Sequence, residues 1–304
     1  MDKDRQVAPA SFDTILWCLR ATTALQCLGI AGRYLFSKFE SESQIYGLLY
    51  FDFGFPEYAA QLIDDIGGYG CLLSAVGVLT AGFVSAISKQ RLSETIIYRL
   101  RFIEISALSF IIFWSIGMAI SETVRGDLFA RLTLMEEAVR IATPATLLLF
   151  LMPRKRSNHG MFSRGGSLIL LVATSLTFAS HGYQAIELYG PFVDLILLSN
   201  PCGITWVTDQ QTAETLLLII GWIDIALAIL IIALRWQVIA IYMAVWGLLT
   251  AYSRVTAGGM DAWPEIFIRA ANAGAPLTLF FLFRLKCLSG NPINKTPANQ
   301  HALN

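Results

Sequence analysis

The chain has 304 residues, of which 55% are hydrophobic and 14% charged, with no net charge. Soluble domains run about 45–50% apolar and about 25% charged, so these residues cannot coat a water-exposed surface, and the equal acids and bases leave no basic excess for nucleic acid. The five cysteines, Cys18, Cys27, Cys71, Cys202 and Cys287, show no CxxC pattern, no zinc-finger spacing and no disulfide framework.

Acids and bases alternate over Met1–Arg5 and no small-residue cleavage site follows a short apolar core, so the first apolar segment is read as a retained helix. A spanning helix needs about 20 mostly apolar residues. The candidates, in chain order, are Phe12–Phe36, Gly67–Ile87, Leu100–Ile120, Met135–Met152, Ser167–Ile186, Glu214–Leu234, Gln237–Tyr252 and Ile266–Leu285. Every backbone amide in hydrocarbon must be bonded internally, which leaves helix as the only open-chain choice. The alternating segments of a membrane barrel are absent. The expected fold class is therefore all-α, a polytopic membrane protein with about eight transmembrane helices.

The basic residues sort by link. Lys89, Arg91, Arg99, Arg101, Arg154, Lys155, Arg156, Arg164 and Arg235 fall in alternate links, and Lys3, Arg5, Arg284, Lys286 and Lys295 lie in or beside the two tails. The remaining links hold only Lys38, Arg125, Arg131 and Arg254. The positive-inside rule then puts both termini of this multi-pass protein in the cytoplasm. Two outer links are long. Ser37–Ile66 carries Tyr46, Tyr50, Phe51, Phe53 and Phe55, and Glu187–Ala213 carries Pro191, Pro201 and Trp206. They read either as interfacial anchors or as a cap over an outward-facing pocket. The polar segment 289–304, with His301, is expected to be a disordered cytoplasmic tail.

An internal duplication is visible. Trp114 and Trp246, Glu122 and Arg254, and Pro144 and Pro276 are separated by one common spacing, and ATTALQCLG from Ala21 resembles ATSLTFASHG from Ala173. The chain reads as two four-helix repeats, 1–156 and 157–288. Four crossings is an even number, so the repeats are parallel.

Ionisable groups at membrane depth are expensive and mark candidate functional sites. Arg33 ends the first helix, Glu122 and Arg254 close the third and seventh, and His181 lies in the outer part of the fifth. Glu136, Glu137 and Arg140 open the fourth helix, and Glu265 and Arg269 the eighth. Glu136–Arg140 and Glu265–Arg269 each have the spacing of one helical turn and are expected to pair. The cluster neutralises helix ends and holds the halves together, or contacts lipid headgroups, or forms an outward-opening pocket between the repeats. In the last case Arg140 and Arg269 bind an anionic or quinone-like group. Asp224 stands alone mid-membrane. Arg20 and Glu104, near the opposite side, are placed to pair. His181 has no second histidine at helical spacing, so no haem or metal site is supported; it suits a hydrogen bond to a neighbour or to a quinone carbonyl. Gly67, Gly68, Gly70, Gly77 and Gly82 give the second helix a surface for close packing.

The run Arg20 to Gly32, the glycines from Gly67 to Gly82, and Ser180-His181-Gly182, Gly221 and Arg235 in the second repeat resemble the four-helix unit of the DoxX/DoxD-like membrane superfamily, which includes MauE-type proteins. The likeness covers nearly the whole chain as a tandem pair. It rests on glycine positions and helix order, and carries no universal active-site residue. It implies an accessory protein or subunit of a redox process in a bacterial-type inner membrane, with quinone as a possible cofactor and a redox protein as a possible partner. Two alternatives stand beside it. One is a small-solute transporter or permease using Arg140, Arg269 and Asp224. The other is a structural membrane anchor of a larger complex.

Overall fold

A computed structural model describes residues 12–36, 42–87, 93–126, 129–152, 159–200 and 207–289. The segment 290–304 with His301, the basic residues at 3, 5, 89, 91, 154–156 and 295, and Lys38, Pro201 and Trp206 lie outside the described residues.

The described residues form helices and no strand. The N-terminal half contains α1 (Phe12–Ala31), α2 (Gln44–Gly47), α3 (Glu57–Ile87), α4 (Glu94–Arg125), α5 (Thr133–Glu136) and α6 (Ala138–Leu151). The C-terminal half contains α7 (His159–Ile186), α8 (Gly190–Leu198), α9 (Gln210–Leu234), α10 (Gln237–Gly258), α11 (Trp263–Ile268) and α12 (Ala270–Ser289). Six helices are long and apolar enough to cross a membrane, and α11 with α12, bent by 40°, makes a seventh if the pair is one span. The expected span Met135–Met152 is broken at Glu137, and α6 alone has 14 residues, too few for a crossing by itself. The second expected span begins earlier than its apolar run, because α3 continues outward to Glu57.

Burial separates the helices into a centre and a flank. The most apolar window of α1 is 67% buried and that of α7 61%, whereas that of α9 is only 28% buried. The first helix of each half packs on the broken helix of the other: α6 lies on α7, and α11 and α12 lie on α1. Gly29 brings α1 against the α11 backbone, and Gly274 brings α12 against Thr22. The flanking helices α3, α4, α9 and α10 turn large apolar side chains outward, among them Leu73, Phe113, Ile219 and Val245. Such a surface is stable against hydrocarbon and not against water, and the protein is a membrane protein on that ground.

The two broken helices share one geometry. Glu137 has φ −89° and ψ 1°, and Arg269 has φ −88° and ψ 7°. Each break follows a short 3-10 turn and precedes a helix with an internal proline, Pro144 or Pro276. Proline has no N–H, so Pro144 strips the Arg140 carbonyl of its helical partner. Gln26 of α1 supplies the missing donor at 3.1 Å. At the first break Thr177 of α7 accepts from the Val139 amide at 3.3 Å and donates to the Met135 carbonyl at 3.0 Å. These groups need such partners because buried backbone polar atoms left unpaired are costly.

Candidate functional site

Nearly all of the charged residues expected in the site lie at one end of the molecule, where α1, α4, α7 and α10 finish and the two breaks occur. Arg33 and Arg269 both hold Glu265: Arg33 Nη1 donates to one carboxylate oxygen at 3.1 Å, and Arg269 Nη1 donates to the other. Arg140 donates to Glu137 at 2.5 Å. Glu122 lies within electrostatic reach of Glu137, Arg140, Arg33 and Arg269. Arg254 lies within reach of Arg269, Glu265 and Arg140. The Glu265–Arg269 pairing matches the sequence spacing. The Glu136–Arg140 pairing does not form: the break at Glu137 swings Glu136 out of register, and its carboxylate instead takes a 2.5 Å hydrogen bond from Gln184 of α7.

Beside this cluster, within the C-terminal half, lies a cavity of about 400 Å³. Its wall is mostly apolar, with Phe178 from α7, Leu216, Leu217 and Ile220 from α9, and Trp246 and Leu249 from α10. Polar groups gather toward one end, where His181, Arg254, Arg269 and Asn272 line it. Asp224 lines it too, beside Trp246. The pocket therefore lies inside one half rather than between the two, and Arg140 does not line it. Its cations differ in their commitments. Arg269 is paired with Glu265, whereas Arg254 has no carboxylate within ion-pair distance among the described residues. Arg254 lies over the Phe192 ring at 5.9 Å, and its Nε is buried without a partner there. The Nδ1 of His181, the side-chain oxygen of Asn272 and Oδ1 of Asp224 are likewise buried and unpartnered among the described residues. Buried polar groups normally find partners, so this set can bond a further polar group.

The end of the cavity nearest the cluster has a roof. Phe192, Leu195, Ile196 and Ser199 of α8 line it. The roof is fastened to α10 by the Ser199–Thr256 hydroxyl pair at 3.0 Å and by the Asn200 amide on the Thr256 carbonyl at 3.1 Å. α8 lies in the second long link.

A second cavity, about 340 Å³, lies at the opposite end of the N-terminal half and is lined by Trp17, Arg20, Arg101 and Glu104. Its cations are committed. Arg20 makes a two-point contact with Glu104 at 2.7 and 3.2 Å, the pairing expected from sequence, and Arg101 caps the Leu151 carbonyl at the end of α6. The cavity under α8 is thus the better ligand site. Among the described residues no three His, Cys, Asp or Glu side chains gather closely enough to hold a metal ion.

Sequence reasoning missed Gln26, Gln184, Phe192 and Asn272. A glutamine or asparagine inside an apolar run is a usable signal for the first, second and fourth. Gln26 in particular answers Pro144. Phe192 had no signal, because nothing distinguishes it from the other apolar residues of its helix.

Comparison with family models, with curated proteins and with solved structures found no match to this chain.

Proposed function

We propose that this protein is a DoxX-like, redox-associated component of a bacterial-type inner membrane that binds a quinone-like molecule under α8. The observation that carries the reading is the cavity itself. It is apolar along most of its length and ends in polar groups from Arg254, Arg269, His181 and Asn272, of which Nε of Arg254, Nδ1 of His181 and the side-chain oxygen of Asn272 have no partner among the described residues. A quinone has the matching shape, an apolar body and carbonyl oxygens that accept from arginine and imidazole. In this reading the chain crosses the bilayer eight times as two parallel four-helix repeats, with α5 and α6 forming the fourth crossing. Both termini are cytoplasmic and the charged cluster faces outward. The matching break angles at Glu137 and Arg269 and the reciprocal packing of α6 on α7 and α12 on α1 support the duplication.

Protein purified in phospholipid nanodiscs is expected to bind decyl-ubiquinone saturably. Arg254→Gln is expected to weaken binding by about 10- to 100-fold, the range for a hydrogen bond to a charged group. Arg140→Gln, outside the cavity, should bind as the wild type does. A wild-type protein that neither carries nor binds quinone rules the redox reading out.

Asp224 favours a second reading. A lone acid on the wall of an intramembrane cavity suits proton-coupled passage of a small solute. Uptake into proteoliposomes with a pH dependence that Asp224→Asn abolishes is the outcome that supports a permease; no uptake in the presence of a quinone signal dismisses it.

A further inference from the structure

The route into the cavity is written in how α9 and α10 pack. They are consecutive helices joined by two residues, Arg235 and Trp236, with Arg235 in the left-handed region at φ 52° and ψ 37°. Beyond that turn they make little contact with each other. α9 leans on α7 instead, where Gly182 and Gly221 each face the other's carbonyl at close range. α10 leans on α12, where Gly247 meets the Asn272 backbone. Each helix is thus held by a different central helix, and a seam is left between them.

The seam runs into the cavity. Leu216 of α9 and Leu249 of α10 both line the cavity and are exposed on the apolar flank, at 39% and 53%. The other side chains along this flank, Ile219, Ile223, Val245 and Leu248, are apolar and exposed as well. The end toward the charged cluster is covered by α8 and its ties to Thr256. A solute arriving through the side thus meets an apolar mouth, and one arriving at the charged end meets the roof.

We infer that the ligand enters this cavity sideways from the hydrocarbon of the bilayer, between α9 and α10, and is an amphiphile with an apolar tail that stays in the seam while its oxygen-bearing head reaches Arg254. The inference rests on the proposed cavity function and specifies the class of ligand and its path. The tail concentrates the ligand in the hydrocarbon beside the seam and fits the apolar mouth between Leu216 and Leu249. A tailless head group lacks that contribution. A quinone and an acidic lipid both supply such a head, since both present oxygen acceptors to the arginine.

The test uses stopped-flow mixing of the full-length protein in nanodiscs with lipid vesicles loaded with decyl-ubiquinone. The readout is quenching of the tryptophan signal lost in Trp246→Phe. Leu216→Phe combined with Leu249→Phe narrows the seam and is expected to slow association about tenfold, within the range over which variants of one site differ in rate. Leu249→Ala widens it and is expected to speed association, so that the order of rates guards against a misfolded single variant. Ser199→Ala with Thr256→Val unties the roof and is expected to leave the rate unchanged. Rates that follow the roof variant and ignore the seam variants overturn the inference and place access at the charged end. A tailless benzoquinone of the same head that binds as tightly as decyl-ubiquinone also overturns it. Absence of any saturable quenching, or quenching untouched by Arg254→Gln, removes the underlying site instead, a result distinct from both. Competition by phosphatidic acid separates a lipid head from a quinone head, and either result upholds the path if the seam variants control the rate.

Discussion

Each half of the molecule holds a pair of consecutive flanking helices, and the two pairs pack differently. In the N-terminal half α3 and α4 are zipped together. Gly67 of α3 receives the Trp114 ring and Gly70 receives Phe110, and those two rings stack with centroids 6.2 Å apart and planes 7° from parallel. In the C-terminal half the residues at the same spacing from Trp114 and Phe110 are Trp246 and Tyr242. Trp246 faces the cavity, and Tyr242 is exposed on the flank. The cause lies in glycine supply. α3 has glycines for both neighbours: Gly68 meets Leu35 and Gly82 meets Arg20 on the α1 side, while Gly67, Gly70 and Gly77 meet α4. α9 has one glycine, Gly221, and spends it on α7. A helix that can approach only one neighbour closely leaves the other side open, and the opening becomes a binding site.

Four experiments break or sharpen that contrast. The largest effect is expected at the far end of the closed half. Arg20 and Glu104 are 6% and 3% exposed and bond each other at two points. At the spacings of the proposed repeat stand Val172 and Trp236. Removing one partner leaves a buried charge, so Glu104→Ala is expected to cost about 3–5 kcal/mol in reversible unfolding, and a paired Arg20→Met, Glu104→Leu change is expected to recover most of it.

Next comes the tryptophan pair. Trp114→Ala empties a filled interface and should cost about 3 kcal/mol, and Trp246→Ala, beside an existing cavity, about half that. Equal losses measured by thermal unfolding would contradict the idea that one half is closed and the other open. A smaller loss is expected at Gly67→Ala, where a methyl group collides with the Trp114 ring. Overpacking of this kind costs about 1–3 kcal/mol, while Gly165→Ala, with open space around it, should be neutral.

The smallest effect concerns the end of α9. Asp209 caps that helix by accepting from the Thr212 amide at 2.9 Å, and the hydrogen bonds from Thr212 hold its carboxyl below the usual value. A lowered carboxyl stabilises the fold above its unfolded pKa, and that contribution is lost as pH falls through the folded one. The protection of the Thr212 amide, measured as its exchange relative to the intrinsic rate at the same pH, should therefore fall as the pH drops into the carboxylate range, and Asp209→Ala should remove that dependence.

Much of the architecture could be read from residue order, because burial in hydrocarbon demands long apolar runs and those are unmistakable. Glu265–Arg269 and Arg20–Glu104 were legible for a related reason: a charge at membrane depth needs a partner within reach, and few candidates exist. Glu136–Arg140 was misread because it assumes an unbroken helix, and the break at Glu137 is a three-dimensional matter between α5, α6 and Thr177. The cavity was expected between the repeats, where Arg140 and Arg269 seemed poised to meet. It lies instead under α8, since its existence depends on α9 and α10 failing to touch. A failure to pack leaves no mark on either helix alone, though the single glycine of α9 is a trace of it.

The pairing of charges also sets a timetable for assembly. Arg140 travels with Glu137, and Arg269 with Glu265, so each broken helix enters the membrane carrying its own counter-ion. Arg33 also reaches across the chain: a carboxylate it bonds, that of Glu265, lies 232 residues downstream. At ribosomal speeds of about 5–20 residues per second, that acid is made some tens of seconds later. The arrival of the last hairpin is what closes that contact. The contact between Arg33 and Glu265 is in that sense a latch, closed only when the whole chain has been made.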